Sequence, residues 1–253
     1  MKKLLFALPF LLLVTVTNTA FSAGSACDLS REYATFQEAT KYTSYSAEDI
    51  QRELRSRMVL LNATIDCATK DIDSLKADIS EAGNDEAIES VRGRVLDALG
   101  EATRFYSLRK ASIKDQGIQG TKDLAKEVRN WRDNNYQNLA DRVKNFLVWS
   151  DNQFLFEKAS ERLSQSQFVV TSLKLLENQD SEKLYYDAKS KLENAENLNQ
   201  RAGDALAKGL VSDETLGIIK SSLVALSDTY KSFLEISGEL TKVLPTGENE
   251  EGQ

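Results

Sequence analysis

The sequence predicts an all-α protein, and three features lead to that prediction. No proline occurs between Pro9 and Pro245, where an average sequence would have about a dozen. Proline removes a backbone donor and clashes with the preceding turn, so it is rare inside helices. Apolar residues recur every three or four positions through long segments, which is the period of a helix face. Short polar or glycine-containing segments separate these stretches, as in an antiparallel helical bundle.

Residues 1–22 are predicted to be a secretory signal peptide, because all three parts of such a peptide are present. Two lysines form a positive start, a thirteen-residue apolar run extends from Leu4 to Val16, and Ala20–Ser22 offers small residues for cleavage. We expect cleavage after Ser22 and a secreted, periplasmic or cell-envelope location. The alternative is an uncleaved N-terminal membrane anchor, because 4–26 carries no charge and is just long enough to cross a bilayer.

The chain has two cysteines, Cys27 and Cys67, and we expect them to form a disulfide. An even cysteine count in an oxidising compartment favours pairing. The bond would fasten an N-terminal arm rich in aromatic residues, 23–46, to the first long helix. Two alternatives stay open here: two free thiols, or lipid attachment at Cys27.

Residues 47–150 are predicted to form a first helical bundle. Ser46 and the acids after it form a capping box that starts the first long helix. The apolar residues of this helix keep a heptad spacing that predicts a buried seam, made of Leu54, Met58, Leu61, Ile65, Ala68, Ile72, Leu75 and Ile79. A second helix is expected to end near Asp115. Thr121 is expected to cap the third helix.

The third helix is expected to be the longest, since 122–176 contains neither glycine nor proline. A continuous helix of that length would measure about 80 Å. Its apolar seam slips by one residue around Asn134–Asn135, which indicates a local change of winding, and the seam is lost across 149–153. The competing arrangement breaks this helix near 150–153 and folds it into a hairpin within a single compact bundle.

Residues 151–244 are predicted to form a second bundle, followed by a disordered acidic tail at 245–253. A helix ending at Lys208–Gly209 and a last helix starting at Ser212 complete it. One double-length helix flanked by two single-length helices on each side gives two three-helix bundles end to end that share the long helix. This elongated layout resembles that of spectrin repeats.

A concentration of apolar and aromatic side chains near the middle of the chain is the candidate functional feature. Because it covers more than one face of the helix, it predicts either a junction between bundles or a surface for a partner. Its residues are Phe146, Leu147, Trp149, Phe154 and Phe156.

Composition argues against most kinds of chemistry. The chain has no histidine, which removes the commonest metal ligand and the usual base for a Ser or Cys nucleophile. It has no glycine-rich phosphate loop, and no acid stands inside an apolar seam. Basic and acidic residues alternate within a formal net charge of −7, which disfavours nucleic acid. We therefore expect no catalytic residue, cofactor or metal.

The expected function is that of a secreted or periplasmic helical scaffold, adaptor or binding protein without catalytic activity. It would contact a protein partner, or a second copy of itself, along a helical surface. No stable membrane insertion is expected after signal cleavage. The alternatives are a membrane-active, toxin-like protein, a carrier with a small-ligand pocket at the aromatic junction, and an enzyme that uses carboxylates alone.

Overall fold

The computed structural model describes residues 27–41, 46–83, 86–172 and 179–243. Helices account for nearly all of these residues and no strand occurs among them, so the fold is all-α, as predicted. None of the described helices combines the length and the apolar character that crossing a membrane requires. The expected signal peptide and the expected acidic tail lie outside the described residues.

Eight α-helices are described, together with a 3-10 turn at Ile113–Asp115 and a π-helical turn at Arg132–Tyr136. The helices are α1 (Ser30–Thr40), α2 (Ala47–Ser80), α3 (Glu86–Ser112), α4 (Ile118–Trp131), α5 (Gln137–Asp151), α6 (Gln153–Ser172), α7 (Gln179–Lys208) and α8 (Ser212–Val243).

Two helix ends follow the predicted chemistry. At the start of α2 the Ser46 hydroxyl accepts a hydrogen bond from the Asp49 backbone N–H at 3.1 Å, as a capping serine does. At the end of α7 Gly209 has a φ of +69°. The Leu210 N–H then donates to the Ala205 carbonyl at 3.1 Å, which is the Schellman pattern that glycine permits.

The prediction that Thr121 caps the third helix is wrong. Helix α4 begins earlier, at Ile118, with Gly117 as its N-cap residue. The Thr121 hydroxyl instead donates to the Ile118 carbonyl within the helix, at 2.8 Å. Gly117 has extended backbone angles, so the chain is already placed to start a helix at the next residue.

The predicted slip of the seam coincides with the π-helical turn. A π turn adds one residue to a helix without changing the faces on either side. It allows Trp131 before the turn and Tyr136 within it both to join the first hydrophobic core. The expected continuous helix is interrupted later, at Asn152, where the backbone N–H reaches the Trp149 carbonyl in a three-residue turn.

Side chains account for this interruption. The amide of Asn152 donates to the Val148 carbonyl and the amide of Gln153 donates to the Trp149 carbonyl, each at 2.6 Å. Such side-chain donors compete with the backbone hydrogen bonds of a helix. Asn152 keeps right-handed helical angles, so the interruption is only one residue long.

The buried apolar residues form two clusters. The first is built from α2, α3, α4 and α5 and includes Ala202, Leu206 and Ile219 from the end of α7 and the start of α8. The second joins α6, α7 and α8. The α2 seam belongs to the first cluster, with Ile65, Ile72 and Ile79 fully buried. The α7–α8 hairpin contributes to both clusters, and the division into bundles at residue 150 stays a prediction.

Helix α1 lies on α2. Cys27 and Cys67 are placed at disulfide distance, with their Cα atoms 5.7 Å apart, as predicted. Farther along α1 the guanidinium of Arg57 lies 4.8 Å from the centre of the Phe36 ring. The Cys27–Cys67 pair and this cation–π contact hold the N-terminal segment against the bundle.

Candidate functional site

The structure does not place the five predicted residues on one surface. Phe146, Leu147 and Trp149 are buried in the first core, and Phe156 is buried in the second. Only Phe154 faces solvent, with 58% of its surface exposed. Four of the five side chains therefore serve packing on either side of the break at Asn152.

Around these aromatic residues, polar side chains of α5 hold the end of α7. Arg142 donates from Nε to the Leu206 carbonyl at 2.7 Å and from Nη2 to the Ala207 carbonyl at 3.0 Å. The last carbonyls of a helix have no partner within the helix, and a cation there also complements the helix dipole. Burial lowers the pKa of Arg142 from its ordinary value.

The start of α8 is held by the same face of α5. Asn145 is 5% exposed, and its amide donates to both the backbone carbonyl and the hydroxyl of Ser212, each at 2.9 Å. Together with Arg142 it fixes both sides of the turn between α7 and α8. The turn is therefore attached to α5 by charge-assisted and amide hydrogen bonds.

One helical turn further on, Trp149 and Gln153 hold the body of α7. The Trp149 indole N–H donates to the Asn199 carbonyl at 3.2 Å. The Asn199 amide donates to Oε1 of Gln153 at 2.8 Å, and the Gln153 amide returns a bond to Oδ1 of Asn199 at 3.3 Å. A partly buried amide pair satisfied in this way fixes the relative position of the two helices.

These four side chains share one face, because they are spaced by three, four and four residues. We call Arg142, Asn145 and Trp149 of α5, together with Gln153 at the start of α6, the α5 clamp. A search for apolar periodicity does not find three of these residues, because Arg142, Asn145 and Gln153 are polar. A signal was nevertheless present in the sequence: polar residues with helical spacing inside the most apolar part of the chain.

A different feature lies on the outer face of α6. Phe154 and Phe168 are 58% and 74% exposed, and they stand two heptads apart, so they lie close to one line along the helix. Between them Lys158 and Glu161 form an ion pair at 2.7 Å. We call this line of four residues the α6 ridge. Phe168 does not share the helical spacing of the apolar residues Phe156, Ala159, Leu163 and Val170, and this is the feature of the sequence that indicates its exposure.

Burial changes the acid–base properties of several groups. Partial desolvation raises the pKa of Asp71 on α2 and the pKa of Asp151 at the end of α5, although neither residue is fully buried. Burial also raises the pKa of Tyr106 and of Tyr136 to about 12. The two acids lie on different helices, and Arg132 acts on Asp71 but is not a cause of the Asp151 shift.

The larger surface grooves lie beside α1. One of about 870 Å³ separates α1 from the first half of α2 and has charged walls, including Arg31, Glu38 and Arg55. Another of about 480 Å³ lies between α2 and α4, with an apolar floor. The residues that line these grooves do not include the aromatic residues at 146–156, where a ligand pocket was expected if the protein were a carrier.

Comparison with protein-family models, with curated proteins and with solved structures gives no significant match.

Proposed function

We propose that this protein is a non-catalytic helical scaffold that acts outside the cytoplasm and binds another protein through the α6 ridge. The observation that carries the proposal is the exposure of Phe154 and Phe168 on one line of α6. Burying a phenylalanine side chain in an interface contributes roughly 1.5–3 kcal/mol. Aromatic residues are enriched in such interfaces and often dominate their binding energy.

The surroundings of the two phenylalanines fit a protein surface. The Lys158–Glu161 pair between them is about half exposed, so an aromatic contact would be bordered by charges of both signs. This pattern, an apolar centre with a polar rim, is that of protein interfaces. A partner with two apolar holes about 21 Å apart would match the fourteen-residue separation on a helix.

A scaffold needs its contact surface to be held rigidly, and the α5 clamp supports this requirement. The clamp ends at Gln153, directly before Phe154. The base of the ridge is thus fastened to α7, while the inner face of α6 packs in the second core through Phe156 and Ala159.

The compartment rests on two observations. The Cys27–Cys67 pair at disulfide distance fits an oxidising environment. The lysine pair, apolar run and small residues of 1–22 are typical of a secretory signal. The absence of histidine from the sequence favours a non-catalytic role, because histidine is the most common general base.

The proposal is tested by site-specific photocrosslinking in the native host. A photoreactive amino acid is placed at 154, at 168 or at the control position 204, where Asp204 is exposed on α7. We expect discrete adducts from 154 and 168 and none from 204. Equal yields at all three positions, or no adduct at 154 and 168, would overturn the proposal.

Sedimentation velocity and a liposome assay then identify the kind of partner. Dimerisation of the wild type that Phe168→Ser abolishes identifies a second copy of this chain. Liposome binding that the same substitution abolishes would replace the scaffold proposal with the membrane-active alternative. Adducts with neither of these results identify a different protein.

A further inference from the structure

A half-buried carboxylate lies beside the Cys27–Cys67 pair. The two sulfur atoms and a carboxylate oxygen of Asp71 all lie within 4.8 Å of one another. Cys67 and Asp71 are four residues apart on α2, so they share a face of that helix, and Cys27 approaches from the segment before α1. Three potential metal ligands thus meet from parts of the chain 40 residues apart.

Asp71 is partly buried, and its carboxylate has no close partner among the described residues. No hydrogen bond or ion pair to its carboxylate is found in the part of the chain that the structure describes, and burial raises its pKa, against the effect of the positive charge of Arg132. A partly buried carboxylate without a partner is unfavourable. A cation placed beside it would compensate for this cost.

We propose that the reduced protein binds a thiophilic divalent cation, Zn²⁺ or its analogue Cd²⁺, through Cys27, Cys67 and Asp71. Thiolate and carboxylate are both zinc ligands, and three protein ligands leave a fourth position for water. Zinc lies about 2.3 Å from sulfur and about 2.0–2.2 Å from a carboxylate oxygen. Neighbouring ligand atoms in a tetrahedron are therefore roughly 3.5–3.8 Å apart, which side-chain rotation reaches from the observed cluster.

The reaction that opens the site balances as a thiol–disulfide exchange. A dithiol reductant supplies two electrons and two protons, the S–S bond breaks, two protein thiols form, and the reductant becomes a disulfide. The cation then displaces the two thiol protons, since the thiolate is the metal ligand. Two thiolates and one carboxylate would leave a net charge of −1 around M²⁺, which the nearby Arg132 offsets. Because both states use the same sulfur atoms, the disulfide excludes the cation.

The experiment compares oxidised and dithiol-reduced full-length mature chains, titrated with Zn²⁺ against a chromophoric chelator and with Cd²⁺ by thiolate charge-transfer absorption. Asp71→Asn tests the carboxylate ligand. Asp73→Asn is its matched control, since it removes an acid from the same helix whose side chain is 65% exposed. Cys67→Ser removes one sulfur. The melting temperature of the reduced protein is measured with and without Zn²⁺. A ligand that binds the folded state raises this temperature, so binding is detected even if reduction lowers the stability of the fold.

We expect one cation per reduced chain, none for the oxidised chain, and a higher melting temperature of the reduced protein with Zn²⁺. Asp71→Asn should weaken binding by about tenfold or more, while Asp73→Asn should leave it unchanged. Reduced wild type that binds no more tightly than Cys67→Ser would overturn the proposal. Equal affinity of the two asparagine variants would overturn the assignment of Asp71 as a ligand.

Discussion

Trp149 of α5 lies against the backbone of Gly203 of α7, so closely that a β-carbon at residue 203 would stand 2.9 Å from Cζ2 of the indole. Carbon atoms in contact normally lie about 3.5–4.0 Å apart. The tryptophan is 3% exposed and its N–H is bonded to the Asn199 carbonyl. The ring therefore has little freedom to move, and glycine at 203 is a packing requirement of this junction.

Replacing Gly203 with alanine should destabilise the protein, although alanine favours helix. Overpacking of a buried junction lowers the free energy of unfolding by about 1–3 kcal/mol. The higher helix propensity of alanine raises it by about 1 kcal/mol. We expect a net loss of roughly 1 kcal/mol in the free energy of unfolding, measured by urea denaturation with Trp fluorescence.

Gly93→Ala is the matched control, because Gly93 lies within α3 and a β-carbon there meets nothing within 4 Å. It should raise the free energy of unfolding by about 0.5–1 kcal/mol. If both substitutions stabilise the protein, the close contact at Trp149 does not constrain the fold.

The α5 clamp predicts that two arginine substitutions will have unequal effects on stability. Arg142→Gln removes a cation that donates to the Leu206 and Ala207 carbonyls, and should lower the free energy of unfolding by about 2 kcal/mol, since hydrogen bonds to charged groups contribute about 1.5–3 kcal/mol. Arg129→Gln removes a side chain that is 82% exposed and 3.8 Å from Asp133, and should change it by less than about 0.5 kcal/mol. Equal effects in guanidinium denaturation would show that the clamp does not stabilise the junction.

The elements that could be predicted are those with a local or periodic cause. Proline absence and heptad spacing predict helices, and the α2 seam is buried as expected at Ile65 and Ile72. The slip near Asn134 anticipated the π-helical turn, because both are a change of phase in one helix. The sequence could not show whether the aromatic residues at 146–156 are buried or exposed. Periodicity locates an apolar face of a helix but does not identify what covers that face.

The clamp shows the other limit. Arg142 and Asn145 each bind backbone groups more than sixty residues away. No local pattern identifies a backbone carbonyl as a partner, because every residue carries one. The cap at Gly117 was missed for a related reason: Thr121 is the better capping residue by propensity, but the extended backbone at Gly117 starts the helix first.

The π-helical turn predicts that the protein tolerates one particular deletion. With one residue removed between Trp131 and Tyr136, the seam Leu124, Val128, Trp131, Tyr136, Leu139, Val143 and Phe146 acquires an unbroken spacing of three and four. Deleting Asn134 should therefore convert the π turn to α-helix and keep both faces in the core. We expect the helical CD signal to be retained and the melting temperature to stay within about 4 °C.

Deletion of Lys144 is the control, since it is an exposed residue of α5 outside the turn. It should rotate the residues on one side by about 100° relative to the other and remove Val143 or Phe146 from the core. A large loss of stability is expected there. Equal damage from the two deletions would show that the turn is not a one-residue insertion.

Tyr106 predicts a stabilising substitution. Its side chain is fully buried, its ring packs edge-on against Trp131 at 5.2 Å, and its hydroxyl has no hydrogen-bond partner among the described residues. A buried hydroxyl without a partner costs about 1–3 kcal/mol. Tyr106→Phe should thus raise the free energy of unfolding by about 1 kcal/mol in urea. A loss of stability would show that the hydroxyl has a bound partner such as water.

Asp71 predicts a pH dependence of known sign. Its carboxyl has a pKa raised by burial in the folded protein, so the folded state holds the proton more tightly than the unfolded state does. The stability linked to that proton is fully present below the unfolded pKa of about 3.9 and is lost as the pH rises through the folded pKa. In the oxidised protein Asp71→Asn should therefore be more stable than the wild type at pH 7, and the difference should close as the pH falls to 4. Urea denaturation from pH 4 to 8 measures this, with Asp73→Asn as the control for the loss of one negative charge from α2. If the two variants show the same difference from wild type at every pH, burial of Asp71 does not affect the stability of the fold.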